Sequence, residues 1–406
     1  MVPKLRFSEF NKGWQQKKIG DVFTIFSGFA FKSTDATTSG CRWLKIADVG
    51  CQVMTPGTPS FLPNHFRNEY HKFIIKKDDY VIALTRPILN GKLKIAIAGK
   101  EYDGSLLNQR VGKIVTKNNP KFVYSLLQME STVSKINNCI SGTDPPNLST
   151  QDIKDMVVFV PIIEEQTKIA DFLSSADEKI ALLKKQYDLL CQYKKGMMQK
   201  IFSQEVRFKD ENGEEFPEWN SCQLKDVATR VTRKNKENNQ TILTISGRDG
   251  LVDQMSYFNK QIASKNVTGY YLINNGEFAY NKSYSQGYPM GAIKMLTNYD
   301  RGVVSTLYIC FKLNTNQSNS FYQHYFESGL QNRSIEKVAQ EGARNHGLLN
   351  IGVNDFFDIE LQIPSLKEQI KISDYLSALD DKIAVKKAEL DKLKSWKQGL
   401  LQQMFV

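Results

Sequence analysis

The sequence contains few residues of the kinds that hold metal ions or cross-link small proteins. It has four histidines and six cysteines in 406 residues, and no Cys-x-x-Cys pair. Zinc ribbons and small disulfide scaffolds need clustered ligands. Cys41, Cys51, His65 and His71 are the best candidates for a zinc site, but the spacing between the two cysteines is too wide for a zinc knuckle. We therefore expect reduced, mostly buried thiols and no bound metal.

Long apolar runs are also absent. The longest apolar stretch, residues 156–163, has the length of a strand and contains Pro161, whereas a membrane-spanning helix needs about 20 apolar residues. The first ten residues, MVPKLRFSEF, lack the apolar core of a signal peptide. We expect a cytoplasmic protein without a membrane partner.

Catalytic motifs are missing or incomplete. The sequence has no G-x-x-x-x-G-K-[ST] loop for ATP and no G-x-S-x-G nucleophile motif. Asp144-Pro145-Pro146-Asn147 is similar to the loop of amino-methyltransferases, but Asn147 stands where that loop has an aromatic ring. No glycine-rich loop for a methyl donor accompanies it, so we interpret the segment as a proline-stiffened turn. A metal-dependent nuclease is harder to exclude, because its scattered carboxylates leave no signature.

The charge balance favours a polyanionic partner. Lysine and arginine number 54 against 43 acidic residues, which gives a formal net charge of +11. A positive surface attracts nucleic acid first, with anionic membrane as the competitor.

A long internal repeat organises the chain. Residues 161–202 return as residues 364–405 without a gap, and 19 of the 42 positions are identical. Upstream, Arg6-Phe7 and Trp14 recur more weakly as Arg207-Phe208 and Trp219. The duplication therefore covers nearly the whole chain.

The repeat predicts four segments and an α+β fold. Each half is expected to be a strand-rich mixed α/β domain followed by one long helix, because short β-type runs separated by turns fill the first part of each half. The predicted segments are a first domain at 1–160, a first long helix at 161–202, a second domain at 203–363 and a second long helix at 364–406.

The helices show the periodicity of a coiled-coil seam. Apolar residues recur in steps of four and three, broken by Lys194 in the first copy and Lys386 in the second. Ser365 and Glu368 predict a capping box at the start of the second helix. About 39 helical residues make a rod of roughly 58 Å. Antiparallel pairing of the two helices would place one domain at each end; the alternative is that each helix packs on its own domain.

Polar and basic residues near turns are candidates for DNA contacts. Base reading in the major groove uses Arg for guanine and Asn or Gln for adenine, while Lys and Arg hold phosphates. The candidates of the first half are Arg86, Asn90, Lys92, Lys94, Asn108, Gln109 and Arg110. Those of the second half are Tyr280, Asn281, Lys282, Tyr284, Gln286, Arg344, Asn345 and His346, with Arg230, Arg233, Lys234 and Lys236 as a phosphate-binding run.

With these parts together, the chain resembles the specificity (S) subunit of type I restriction-modification systems. The most specific features are the twin Pro-x-x-x-Glu-Gln-x-Lys-Ile segments that begin at Pro161 and Pro364. Asn147-Leu148-Ser149-x-x-Asp152-Ile153 and Leu107-Asn108-Gln109-Arg110-Val111 are also similar to the family. The second half departs from the first of these two patterns, having Leu349-Asn350-Ile351 and Asp355-Phe356.

The resemblance implies a non-catalytic DNA-binding subunit. The two domains would be target recognition domains that each read half of a bipartite site in double-stranded DNA, and the site should be asymmetric because the domains differ. The helices would fix the spacer and dock two methyltransferase (M) subunits, to which restriction (R) subunits can add. S-adenosylmethionine, ATP and Mg²⁺ would be bound by those partners, and no cofactor by this chain.

The residues themselves are also compatible with two other hypotheses. One is a stand-alone DNA methyltransferase or nuclease with duplicated halves, which methyl transfer or cleavage by the purified chain would indicate. The other is a scaffold whose basic charge is incidental, which binding without sequence preference would favour.

Overall fold

The computed structural model describes residues 1–55, 57–140, 145–247, 249–258, 267–285, 287–339 and 349–406. The chain divides into two compact units. Unit 1 consists of Met1–Lys184 and Ala388–Val406, and unit 2 of Lys185–Lys387. Among the helices of the described ranges, none combines the length and apolar character needed to cross a membrane.

Unit 1 is built from short strands and helices around two four-stranded sheets. Its strands are β1 (Gln15–Lys18), β2 (Thr24–Ser27), β3 (Cys41–Leu44), β4 (Phe61–Leu62), β5 (Ile74–Ile75), β6 (Tyr80–Ala83), β7 (Ile88–Leu89), β8 (Lys92–Leu93), β9 (Ile95–Ile97), β10 (Ser105–Leu107), β11 (Val111–Val115) and β12 (Val157–Val160). Its short helices are α1 (Ile19–Val22), α2 (Phe66–Glu69), α3 (Pro120–Leu126), α4 (Glu130–Ile140) and α5 (Thr150–Ile153). The sheet orders are β2-β11-β6-β9 and β4-β3-β10-β5.

The sheet β2-β11-β6-β9 is antiparallel, and its inner strand β6 is buried on both faces. Successive side chains of a strand point to opposite faces. Accordingly, Tyr80 and Ile82 of β6 join the core formed with α3 and α4, whereas Val81 and Ala83 join a second core on the other face. This explains why β6 reads as a continuous apolar run rather than an alternating one.

Unit 2 repeats this plan in part: its described residues form one four-stranded sheet, where unit 1 has two, together with two-stranded sheets. Its strands are β13 (Asn220–Gln223), β14 (Ala228–Val231), β15 (Leu243–Ser246), β16 (Gly250–Asp253), β17 (Tyr271–Asn274), β18 (Phe278–Asn281), β19 (Ala292–Met295), β20 (Arg301–Val304), β21 (Ile309–Leu313) and β22 (Glu360–Ile363). Its short helices are α7 (Leu224–Val227), α8 (Gln254–Phe258), α9 (Asn319–Ser328), α10 (Asn332–Val338) and α11 (Val353–Phe357). The sheet β14-β21-β18-β19 corresponds strand by strand to β2-β11-β6-β9.

The long helices are α6 (Ile163–Phe202, 40 residues) and α12 (Leu366–Met404, 39 residues). Each lies partly in unit 1 and partly in unit 2. The predicted architecture of two strand-rich α+β halves, each followed by one long helix, is confirmed. The division of the chain at residues 160, 202 and 363 stays a prediction.

Within each unit, the start of one long helix contacts the end of the other, as in an antiparallel pair. In unit 1, Asp177 Oδ1 of α6 lies 2.5 Å from Lys397 Nζ of α12. In unit 2, Lys194 Nζ of α6 lies 2.5 Å from Asp380 Oδ1 of α12. The two ion pairs occupy equivalent places in the repeat. Lys194, which interrupts the predicted apolar seam, is therefore matched by a carboxylate from the other helix.

The Glu-Gln pair of the repeated motif fastens each helix start to the preceding domain. Glu165 is only 1% exposed and accepts hydrogen bonds from Arg6 Nε and Nη2, both at 2.7 Å. Glu368 accepts from Arg207 Nε at 3.3 Å and Nη2 at 3.0 Å. A buried carboxylate needs such a partner, because removal from water is costly. The echo of Arg6 in Arg207 thus has a structural cause.

The adjacent glutamines hold the strand ends. Gln166 Nε2 donates to Pro161 O at 2.9 Å, and Gln369 Nε2 donates to Pro364 O at 3.0 Å. The predicted capping box of α12 is wrong. Ser365 Oγ is buried without a hydrogen-bond partner, and the Glu368 carboxylate accepts its hydrogen bonds from Arg207.

Candidate nucleic-acid interface

The predicted DNA-contacting residues gather at one end of the equivalent sheets. In unit 1 the last residue of β6 pairs with the first of β11, Ala83 with Val111. In unit 2 the end of β18 lies beside the start of β21 in the same way, Tyr280 with Ile309. Loops that follow one strand and precede the other must therefore meet. We call residues 84–94 and 108–110 the first loop edge, and residues 230–236 and 281–291, apart from residue 286, which lies outside the described residues, the second loop edge.

All seven candidates of the first half lie on the first loop edge. A backbone hydrogen bond of 2.8 Å from Leu84 N to Arg110 O joins its two segments. The exposed candidates are Arg86, Asn90, Lys92, Gln109 and Arg110. Positions 24 residues apart in the sequence are thus brought to one surface, as the prediction requires.

The inner hairpin of the first loop edge has a defined turn. Asn90 and Gly91 connect β7 to β8 with φ angles of 49° and 71°. Asn-Gly at these angles is typical of a two-residue hairpin turn, in which both residues need positive φ. The turn leaves Asn90 and Lys92 exposed at its end.

Two candidates of the first loop edge have inward roles. Lys94 is half-buried, its Nζ lies 3.5 Å from Ile46 O, and burial lowers the pKa of its ammonium group. Asn108 Oδ1 accepts a hydrogen bond of 2.9 Å from Arg110 N. Such a side-chain turn fixes the backbone on which Gln109 and Arg110 are presented.

The second loop edge presents one large aromatic side chain. Tyr284 is 65% exposed, whereas Tyr280 is fully buried and stacks on Phe356 with ring centroids 4.5 Å apart. Burial raises the pKa of Tyr280, and its hydroxyl donates to Met290 O at 2.9 Å. Tyr280 is thus placed to hold the loop rather than to contact a base. Lys282 Nζ, at 3.3 Å from Ile351 O, also supports the loop.

The basic run follows β14 to the same end of the sheet, because Val231 pairs with Cys310 at the start of β21. Arg230, Arg233, Lys234 and Lys236 are all exposed. Arg233 forms a 2.6 Å ion pair with Glu277, and Lys234 Nζ lies 4.5 Å from the ring centroid of Tyr271. Asn281, on the neighbouring loop, is half-buried, and its Oδ1 accepts from Ser283 N at 3.1 Å. Four further candidates, Gln286, Arg344, Asn345 and His346, lie outside the described residues.

The loop edges have one sign of charge. The four segments that define them contain Arg and Lys but no Asp or Glu. Carboxylates make up about a tenth of the chain, so segments without them carry a net positive charge suited to phosphates, although Arg233 is paired with Glu277. In the described part of the chain, no three His, Cys, Asp or Glu side chains are grouped to hold a metal ion.

Two features near the loop edges were not predicted from the sequence. The turn before β21 exposes Leu307 to 68%, at the position that corresponds to residues 108–110; the correspondence of the strands would have identified it. The proline segment that precedes α5 contacts the first loop edge directly, with Arg86 N donating to Pro146 O at 2.7 Å. Nothing in the local sequence indicates that contact.

The family model for the type I restriction modification DNA specificity domain matches the chain twice, over residues 11–192 and 217–395. These matches cover most of the chain and correspond to the two halves of the repeat. The chain belongs to this family, as its repeated motifs suggested.

Curated relatives agree. The chain is 32% identical over 212 residues to the type I restriction enzyme MjaVIII specificity subunit of Methanocaldococcus jannaschii, covering 52% of this chain and 50% of that protein. It is 32% identical over 177 residues to the EcoAI specificity subunit of Escherichia coli, covering 42% of this chain and 29% of that protein. The matched segments thus span half or less of these relatives' lengths.

Solved structures share the fold. A type I restriction-modification system S subunit from M. genitalium has a TM-score of 0.58 at 17% identity, covering 100% of this chain and 99% of that one. A chain from a study of complex assembly and conformational transition of the type I R-M system has a TM-score of 0.54 at 15% identity, covering 97% and 98%.

Proposed function

We propose that this chain is the sequence-reading subunit of a type I restriction-modification complex, and that each loop edge contacts one half of a bipartite DNA site. The observation that carries the proposal is the shared location of the two loop edges: both lie at the same end of corresponding sheets, and their segments contain Arg and Lys but no Asp or Glu. Family membership supports the same conclusion.

The two edges are proposed to read different bases. Counted from the last residue of β6 and of β18, the third residue is Arg86 in unit 1 and Tyr284 in unit 2, and both side chains are exposed. Arginine donates to guanine edges, whereas tyrosine stacks or donates one hydrogen bond. The half-sites should therefore differ, which makes the target asymmetric.

The long helices are proposed to set the spacer and to dock two M subunits. Their apolar residues Leu182, Leu189 and Val385 are 52–58% exposed. Exposed apolar side chains of this kind support a role in docking a partner. Methyl transfer with S-adenosylmethionine, and ATP- and Mg²⁺-dependent cleavage by R subunits, would take place in the partners, with this chain non-catalytic.

The test is genome-wide adenine methylation in a host given the cognate M subunit with and without this chain. We expect a bipartite, asymmetric methylated motif only when the chain is present, and we expect exchange of residues 203–363 for those of a relative to change one half-site. A complex that forms but produces no motif would refute the proposal and favour a scaffold. Methylation or cleavage by the purified chain alone would instead indicate an enzyme.

A second test separates phosphate contacts from general charge. Lys92 lies on the first loop edge, whereas Lys117 is exposed just after β11, at the opposite end of the same sheet. Lys92→Ala should weaken DNA binding evenly across sequences and reduce the slope of log affinity against log salt by about 1, while Lys117→Ala should change neither. Equal effects of the two variants would show that the loop edge is not the contact surface.

A further inference from the structure

The backbone of Arg86 has a conformation that arginine rarely adopts. Its φ angle is +47°, in the left-handed region where a Cβ atom crowds the neighbouring carbonyl. Asn90, also at positive φ, belongs to an Asn-Gly hairpin turn, whereas Arg86 precedes Pro87 and belongs to no such turn. Strained residues persist only where surrounding contacts enforce them, and they concentrate at ligand-binding sites.

The proline segment enforces this conformation. Arg86 N donates to Pro146 O and Leu148 N donates to Leu84 O, both at 2.7 Å, so the two segments run as a short antiparallel ladder. Between these bonds, the buried Thr85 Oγ1 donates to Asn147 Oδ1 at 2.7 Å.

Asn147 is itself fixed. Its Nδ2 donates to Pro145 O at 2.9 Å, and the two prolines stiffen the backbone on that side. The Pro-Pro-Asn sequence, which is similar to a methyltransferase loop, therefore serves as a brace for residues 84–86. We call Pro145, Pro146 and Asn147 the proline brace.

The brace leaves Arg86 exposed at the first loop edge, which also carries the exposed Arg110. A planar fork of donors on a fixed backbone matches the two acceptors of a guanine edge in the major groove. Fixing the residue before binding also reduces the ordering cost on association.

We propose that Arg86 determines specificity for one guanine in the half-site read by unit 1, and that Thr85 and Asn147 are its positioning residues. This inference rests on the proposed function.

The experiment measures methylation rates by the full chain with its M subunits on DNAs that carry each base at every half-site position. Arg86→Lys keeps the charge but loses the fork, so discrimination for one guanine should fall about tenfold or more. Affinity for non-specific DNA and its salt dependence should stay within twofold. The control is Arg67→Lys, which changes an exposed residue of α2 that belongs to neither loop edge.

Thr85→Val tests the positioning. The change is nearly isosteric and removes the hydroxyl that donates to Asn147. Discrimination at the same base should fall about threefold, with no change at the other half-site, and Thr85→Ser should restore it. The control is Thr116→Val, which removes a hydroxyl that donates to Val22 O at 2.6 Å at the opposite end of the sheet.

The outcomes separate the two levels of the proposal. If the wild-type complex methylates no preferred motif, the proposed function fails. If it reads a motif and Arg86→Lys leaves every position unchanged, or weakens all sequences equally, the assignment of Arg86 as a base-reading residue fails alone. If Thr85→Val and Thr116→Val behave alike, the brace has no positioning role.

Discussion

Replacement of Arg6 by methionine tests the ion pair that fastens α6 to unit 1. The substitution keeps the aliphatic stem but removes both 2.7 Å hydrogen bonds to Glu165, whose carboxylate then keeps the Trp14 Nε1 donor at 3.1 Å. Glu165 is 1% and Arg6 14% exposed. Loss of one partner from a buried ion pair costs about 3–5 kcal/mol.

Because Arg6 keeps some contact with water, we take the lower end, about 3 kcal/mol. For a unit of about 200 residues, this corresponds to a decrease in melting temperature of roughly 6–12 °C. The measurement is calorimetry and urea unfolding of the full chain, with the transition of unit 1 resolved from that of unit 2.

The matched control is Lys18→Met, which breaks the Lys18–Asp155 pair in the same unit. Those side chains are 62% and 64% exposed, so the change should leave the melting temperature of unit 1 nearly unchanged. The double variant Arg6→Met/Glu165→Met also removes the stranded carboxylate and should recover part of the loss. The reasoning is refuted if Arg6→Met costs no more than Lys18→Met.

Three further predictions concern pH, thiols and a turn. Burial, and secondly the charge of Lys194, lowers the pKa of His324 to about 4. In the unfolded state His324 titrates near pH 6.5, so between pH 4 and 6.5 the unfolded state binds more protons than the folded state. The free energy of unfolding of unit 2 should therefore decrease as the pH falls from 6.5 to 4. His324→Gln should flatten this dependence in urea titrations, and unchanged slopes would contradict it. Burial raises the pKa of Cys310 to about 12 and of Cys222 to about 11, so mass spectrometry after iodoacetamide treatment at pH 8 should find exposed Cys139 alkylated and these two intact, while equal labelling would be inconsistent with the burial. Asn90→Gly should be tolerated, whereas Asn90→Ala should cost about 1 kcal/mol in the free energy of unfolding because φ is +49° there; equal stabilities would argue against the turn.

The repeat and its helices could be predicted because their signal is local. Apolar residues in steps of four and three identify α6 and α12 wherever their partners lie. The carboxylate that matches Lys194 is Asp380, 186 residues away, so the interruption was visible but its compensation was not. Likewise, Ser365 and Glu368 satisfy the capping-box spacing, but the Glu368 carboxylate accepts its hydrogen bonds from Arg207, which is 161 residues away in the sequence.

The loop edges were predictable in composition but not in detail. Basic and amide residues around turns indicated Arg86 and Arg110, while their proximity depends on strand order. Tyr280 could have been placed correctly, because it shares a face of β18 with Phe278, and that face is buried. The contact of Arg86 with Pro146 depends on how the chain returns to the sheet, which periodicity does not encode.

The division of the chain between the units has a consequence for biosynthesis. The core of unit 1 includes Leu400, Leu401 and Met404 of α12 and the adjoining Phe405, although most of that unit precedes residue 185. Unit 2 is one continuous segment, so all of it is synthesised before the last apolar side chains of unit 1 are added. Contacts between residues so far apart in sequence form slowly. Unit 1 is therefore mostly synthesised first but completes its core last. Until the end of α12 is added, its apolar core is open, and we expect it to be a binding site for chaperones.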